Sequence, residues 1–173
     1  NTFRTQIQDY AKTSTQSLDQ ITQSIYSAIS AGVNYKDSIA VVSQAEKLAV
    51  AGKGQLSDAL VVLVSSLNAF GKGSDSAQGF ADALFTTVKQ GQTTLPELSA
   101  SRAQVTGVAA NAGLSFDEML AAIAALTSAG LGTSQSVTSL KAALSNLIKP
   151  SAEAQKLAKK LGIEFNSEAV KAK

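Results

Sequence analysis

Apolar residues recur at three- and four-residue steps along almost the whole chain, and glycines interrupt them at short intervals. The stretch from Leu114 to Ser151 states this rule in full. Ser115 followed by Glu118 has the form of a capping box, in which each side chain satisfies a backbone N–H that the first helical turn leaves open. Leu114 and Met119 fall at the two staple positions. Phe116, Met119, Leu120, Ile123 and Leu126 then line one helix face, so that face needs a partner. Gly130 and Gly132 are expected to end the helix in conformations with positive φ. A second apolar face follows in Val137, Leu140, Leu144, Leu147 and Ile148. It ends at Pro150, which lacks an N–H and disfavours a helical Lys149. The pattern predicts a helical hairpin.

The same grammar describes the rest of the chain. Residues 1–17 are polar, with Phe3, Ile7 and Tyr10 at helical spacing, and read as a weakly ordered or helical lead-in. Leu18, Ile21, Ile25, Ala28 and Ile29 form a face that Gly32 closes. The next helix is expected from about Asn34, carrying Ile39, Val42, Ala45, Leu48 and Ala49 to Gly52. Leu56, Leu60, Leu63, Val64, Leu67 and Phe70 give the cleanest amphipathic face, closed by Gly71. Ser74 or Ser76 is the expected cap of a helix bearing Ala77, Phe80, Ala81, Leu84 and Val88 and ending at Gly91. Thr94 and Glu97 then have the spacing of a cap, with Pro96 tolerated in the first turn. One helix is expected from there through Leu98, Val105, Val108 and Ala112 to Gly113. After Pro150 a short helix with Ala154, Leu157, Ala158 and Leu161 runs to Gly162. Ile163 to Phe165 read as a short extended piece, and residues 166–173 as a frayed end. No stretch alternates long enough for a sheet, so the expected fold is all-α, about seven or eight short antiparallel helices, with residues 18–165 as the module. A faint echo links Gly32–Tyr35 to Gly113–Phe116 at 81 residues, and Gly52, Gln55, Leu60 and Leu67 to Gly132, Gln135, Leu140 and Leu147 at 80. It fits a duplicated helix pair and chance likeness equally.

Composition narrows the chemistry. With 173 residues the chain is long enough for one real core or a short row of helical units, and its first residue, Asn1, points to a segment of a longer protein. Cys and His are absent, which removes disulfides, thiolate and imidazole metal sites and the commonest general base. A net charge of +2 gives no general case for nucleic acid or an anionic membrane. No apolar run reaches the roughly 20 residues that cross a bilayer, so the piece is expected to be soluble. Neither cofactor nor metal is expected.

Each candidate site has a plainer explanation beside it. Gly52-Lys53-Gly54, Gly71-Lys72-Gly73 and Gly130-Leu131-Gly132 could cradle a phosphate, but helix termination explains all three and none has P-loop spacing. Asp117 and Glu118 sit in a first helical turn, where they offset the helix dipole. Asp75 and Asp82 lie seven residues apart on a face expected to see solvent. The lysines at 149, 156, 159, 160, 171 and 173 are interleaved with Glu153, Glu164 and Glu168 and read as a solvated surface. A serine nucleophile would need a base other than His. The residues singled out as caps and turns are thus Gly71, Thr94, Glu97, Gly113, Ser115, Glu118, Gly130, Gly132, Pro150 and Gly162. Those singled out as a packing or partner face are Leu60, Val64, Leu67, Phe116, Met119, Ile123, Leu140 and Leu144, because a thin Ala-rich array often has more apolar face than it can bury alone.

From about Ile25 to Phe165 the chain resembles the conserved helical region of phage tail tape measure proteins. The matching pieces, in order, are SAGV ending at Val33, KLAVAG ending at Gly52, SSLNAFG ending at Gly71 and LFTTVKQGQTTLPEL from Leu84. VAANAGLSFDEMLAAIAALTSAGLGTSQSVTSLKAAL from Val108 and LIKPSAEAQKLAKKLGI from Leu147 complete the series. The resemblance implies a virion structural protein, made in the host cytoplasm and lying in the tail lumen, that sets tail length and leaves the tube during DNA delivery. It implies as partners copies of itself, the tail tube protein, and tail-tip or assembly chaperone proteins, with no specific nucleic acid. Neither heptads nor one long helix occur, so this portion reads as a folded module and not as the ruler rod. Contact with a membrane during delivery stays open, as a second reading. A peptidoglycan hydrolase module is a third, without a catalytic constellation to support it.

Overall fold

The glycine turns become the joints of a two-layered row of helices. A computed structural model describes residues 2–163. Among them are ten α-helices and no strand: α1 (Thr2–Thr13), α2 (Leu18–Ser30), α3 (Ser38–Ala51), α4 (Leu56–Ala69), α5 (Ala77–Gln90), α6 (Leu95–Ser101), α7 (Thr106–Asn111), α8 (Phe116–Ser128), α9 (Thr133–Ile148) and α10 (Ala152–Lys160). Single 3₁₀ turns stand at Ser74–Ser76 and Arg102–Gln104.

In one layer α3 packs on α5 and α5 on α8; in the other α2 packs on α4, α4 on α6 and α7, and these on α9. α1 joins the first layer through hydrogen bonds to α3. The two layers advance in equal steps. Second-layer helices start at Leu18, Leu56, Leu95 and Thr133, in steps of 38, 39 and 38 residues, and first-layer helices end at Thr13, Ala51, Gln90 and Ser128, in the same steps. This is a repeat architecture, in which a two-helix unit cannot bury its apolar face alone and stacking supplies the cover. Ile21, Val41, Leu48, Leu63, Leu84, Leu95, Ile123 and Val137 form one continuous core along the row.

Polar side chains mark the same step. Asn68 Nδ2, at the end of α4, donates to the Ala31 carbonyl just past α2 at 2.9 Å. Ser128 Oγ, at the end of α8, donates to the Gln90 carbonyl of α5 at 2.9 Å. Each satisfies a carbonyl that its helix end leaves open. Gly91 is a point of close approach: a Cβ there would lie 2.7 Å from Thr127 Oγ1, 2.9 Å from the Thr87 carbonyl and 3.2 Å from Ala124 Cα. Two of these neighbours are backbone and cannot swing aside. Gly91→Ala is therefore expected to cost about 1–3 kcal/mol, checked by urea unfolding.

Several boundaries differ from the sequence reading. The helix expected near Asn34 begins at Ser38, because Asn34 Oδ1 accepts from the Lys36 N–H at 3.0 Å and holds the chain in a turn. The single helix expected from Leu98 to Ala112 is broken at Arg102–Gln104. Ten helices stand among the described residues against the expected seven or eight, through that break and through the lead-in, which is helical over Thr2–Thr13. Neither Ser74 nor Ser76 gives a side-chain cap to α5. Gly132 has φ −63°, not positive, and is the N-cap of α9; at Gly52 φ is −87°, and Lys53 takes the positive value instead. By their place past the helix ends, Gly52 corresponds to Ala129 and Lys53 to Gly130, so the matched Gly52 and Gly132 are out of register, whereas Gly32 and Gly113, both of positive φ, stand two units apart. Leu18, Ile29, Leu147, Leu157 and Leu161, read as buried faces, are exposed, because they lie at the ends of the row. Of the extended piece at Ile163 to Phe165, all but Ile163 lies outside the described residues, as does the end at 166–173.

Candidate interaction faces

Two of the carboxylates that sequence spacing singled out, Glu97 and Glu118, are engaged in capping. Glu118 Oε2 accepts from the Ser115 N–H at 2.9 Å, while the Glu118 N–H donates to Ser115 Oγ at 3.2 Å. Glu97 Oε2 accepts from the Thr94 N–H at 2.9 Å, and the Glu97 N–H donates to Thr94 Oγ1 at 3.4 Å. Ser17 and Gln20 form a further capping box at the start of α2; its serine-x-x-glutamine spacing stood in the sequence unused. Gly71, Gly113, Gly130 and Gly162 have positive φ, and Pro150 lies between α9 and α10. At Gly113, with φ +80°, a β-branched residue meets its own carbonyl. Gly113→Val is expected to lower stability by on the order of 1 kcal/mol or more, read as a lower melting midpoint.

The candidate packing or partner face turns inward. Leu60, Val64, Leu67, Phe116, Met119, Ile123 and Leu144 are buried and Leu140 is half-buried. What lies outside is a different set: Leu18, Tyr26 and Ile29 on α2, Leu147 at the end of α9, Leu157, Leu161 and Ile163 on and after α10, and, between these, Tyr35, Val50 and Val61. α10 also carries Lys156, Lys159 and Lys160, so it is basic along one side and apolar along another.

A cleft of about 980 Å³ lies where the N-terminal ends of α5 and α8 approach the end of α4. Its floor is three aromatic rings from three consecutive units. Phe80 and Phe116 stack with centroids 4.1 Å apart and planes 6° from parallel, and Phe70 meets Phe116 edge-on at 5.4 Å. Lys72, Asp75, Asn111, Asp117 and Glu118 line its rim. Asp82 instead borders a neighbouring groove with Thr86 and Ala121, so the structure does not bring Asp75 and Asp82 into one site. Among the described residues no group of three or more carboxylates is placed to hold a metal ion.

A side chain that the sequence reading passed over gathers a dense polar cluster. Glu46, on α3, is 7% exposed. Its Oε1 accepts from the Thr15 N–H at 2.6 Å and Thr15 Oγ1 at 2.7 Å, and its Oε2 from Ser14 Oγ at 2.8 Å and from the Tyr10 hydroxyl. Burial pushes this carboxyl up, but the hydrogen bonds from Tyr10, Thr15 and Ser14 outweigh it and hold Glu46 below the ordinary value. Burial and the neighbouring carboxylate push the Tyr10 hydroxyl up. Two anions are thus not formed side by side, and the tyrosine stays a donor. The cluster ties α1 and its following loop to the row.

The described residues thus combine stacked units, Glu97 and Glu118 engaged in capping, and apolar side chains exposed mainly toward the ends of the row. No helix among the described residues is long and apolar enough to cross a membrane. No solved structure matches the chain. A curated protein named tape measure protein, from Pneumococcus phage Dp-1, is 27% identical over 163 residues, covering 94% of this chain but 14% of that protein. The chain therefore spans about one seventh of the length of the relative it matches. The family model described as phage-related minor tail protein matches residues 4–173. With that match running over nearly its whole length, the chain belongs to the phage-related minor tail protein family.

Proposed function

We propose that this chain is a structural module of a tail tape measure protein, part of the protein that sets tail length during assembly and leaves the tube during DNA delivery. The observation that carries the reading is the regular row of two-helix units in a chain of a phage tail family. In such a row each unit touches only its neighbours, so the body grows in one direction and presents long faces to what surrounds it. The tail lumen is the setting this shape suits, and the tail tube protein, tail-tip or assembly chaperone proteins and further copies are the partners proposed. The test is an in-frame deletion of residues 2–163 from the phage gene, with complementation by the intact gene. Tails of altered length, or none, are expected by electron microscopy; infectious particles with tails of unchanged length would overturn the reading.

A second reading has its own observation. α10 exposes Leu157 and Leu161 beside Lys156, Lys159 and Lys160, a pattern suited to the interface of an anionic bilayer. Leakage from anionic vesicles, reduced by Leu161→Asp, is the expected sign of membrane action during delivery. Intact vesicles across a range of pH would remove this reading.

A further inference from the structure

The exposed apolar residues of α2 have covered counterparts elsewhere in the same chain. Gln20, Ser24, Ser27 and Ala31 face α4, where they line two grooves with Leu56, Leu60, Val61 and Val64. Leu18, Tyr26 and Ile29 follow another line on α2, separated by eight and three residues, and are 51%, 73% and 38% exposed. One 38-residue step forward, the same positions are Leu56, Val64 and Leu67, all buried. Leu56 and Val64 are among the residues on which α2 rests. So α2 presents, uncovered, the surface that on α4 is covered by the second-layer helix of the preceding unit.

The far end of the row offers that cover. Leu18 and Thr133 begin equivalent helices, the first and last of the second layer among the described residues. In that register Gln20, Ser24, Ser27 and Ala31 become Gln135, Ser139, Ala142 and Asn146 of α9, all exposed. The two sets match in kind: a glutamine in both, a serine in both, then small or short polar side chains. Each set allows a neighbouring helix to come close.

We propose that copies of this chain associate head to tail, with Leu18, Tyr26 and Ile29 of one copy seated on Gln135, Ser139, Ala142 and Asn146 of another. The contact between α2 and α4 is the template, continued across the boundary between chains. Because the two faces differ, the interface is heterologous and leaves a free face at each end of the dimer, so longer rows can form. The inference rests on reading the chain as a structural module that meets its own kind, and adds which faces meet.

The chain has no cysteine, so single introduced thiols report cleanly. Tyr26→Cys and Ala142→Cys are made in separate chains, mixed, and treated with a short bis-maleimide cross-linker. A cross-linked dimer in the mixture, and none with either variant alone, is expected. Linkage of Tyr26→Cys to itself would mean that like faces meet and would overturn the proposal, as would an unlinked mixture. In sedimentation, mass above that of one chain is expected at high concentration, and Tyr26→Asp should weaken association at least about tenfold. Tyr26 is mostly exposed, so that variant keeps its fold and an unchanged circular dichroism spectrum. A strictly monomeric wild type overturns head-to-tail association while leaving the tail-length outcome of the deletion intact. Unaltered tails with a cross-linked mixture would sink the tape measure reading alone.

Discussion

Phe116→Ala is expected to lower the unfolding free energy by about 3–5 kcal/mol, measured by urea titration followed by circular dichroism. The ring is 5% exposed and is the middle of the Phe70–Phe116–Phe80 cluster. Its loss removes transfer energy, opens a cavity and ends two ring contacts at once. The adjoining cleft lets water enter part of the space, which places the expected cost toward the lower end of that range. Phe116→Leu keeps most of the volume and should cost less than about 1.5 kcal/mol. Because the three rings come from the end cap of α4, from α5 and from α8, the alanine variant should also loosen the coupling between units, seen as a broader transition. Equal stability of both variants to wild type would show that the cluster does not hold these units together.

Glu46→Ala is the second large effect, about 2–3 kcal/mol, since hydrogen bonds to a charged group contribute more than neutral ones. Four donors lose their acceptor. Being at the end of the row, α1 can undock and return those donors to water, and this caps the cost. A helix of its 12 residues is marginal alone in water, so undocking should appear as a loss of helical signal before the main transition. Hydrogen exchange confined to residues 2–17 would show it directly; unchanged protection there would refute the role given to Glu46. The pH dependence follows from the direction of the shift. The folded-state value lies below the ordinary one of 4.5, so the stabilisation is fully present above that value. It is lost as pH falls through the lower folded value. Glu46→Gln, which cannot ionise, should abolish this acid-dependent part.

Much of the fold was legible because helix punctuation is local. Ser115 with Glu118, Thr94 with Glu97, and the glycines at 71, 113, 130 and 162 act within one turn of their own helices, so spacing alone located them. Reading failed where a short side chain competed with the backbone, as Asn34 does in delaying α3, and where one long apolar pattern hid the break at Arg102–Gln104. The repeat was partly within reach: Gly52 and Gly91, 39 residues apart, each follow the last residue of a first-layer helix. It was masked because the next residue in the series is Ala129, with positive φ one position later at Gly130 as at Lys53, while Gly91 is needed for close approach. Glu46 could not be singled out, since its donors come from a helix and loop more than 30 residues earlier.

By itself, then, the sequence determined the class of fold, the places where helices begin and end, and the likeness to a tail protein family. Those depend on residues a few positions apart. Which apolar faces are spent inside the row and which are left at its ends was decided only by the tertiary structure. Leu60 and Tyr26 lie on equally regular helical faces. Burial depends on whether a neighbouring unit stands opposite, and that is a property of stacking, which no single helix contains.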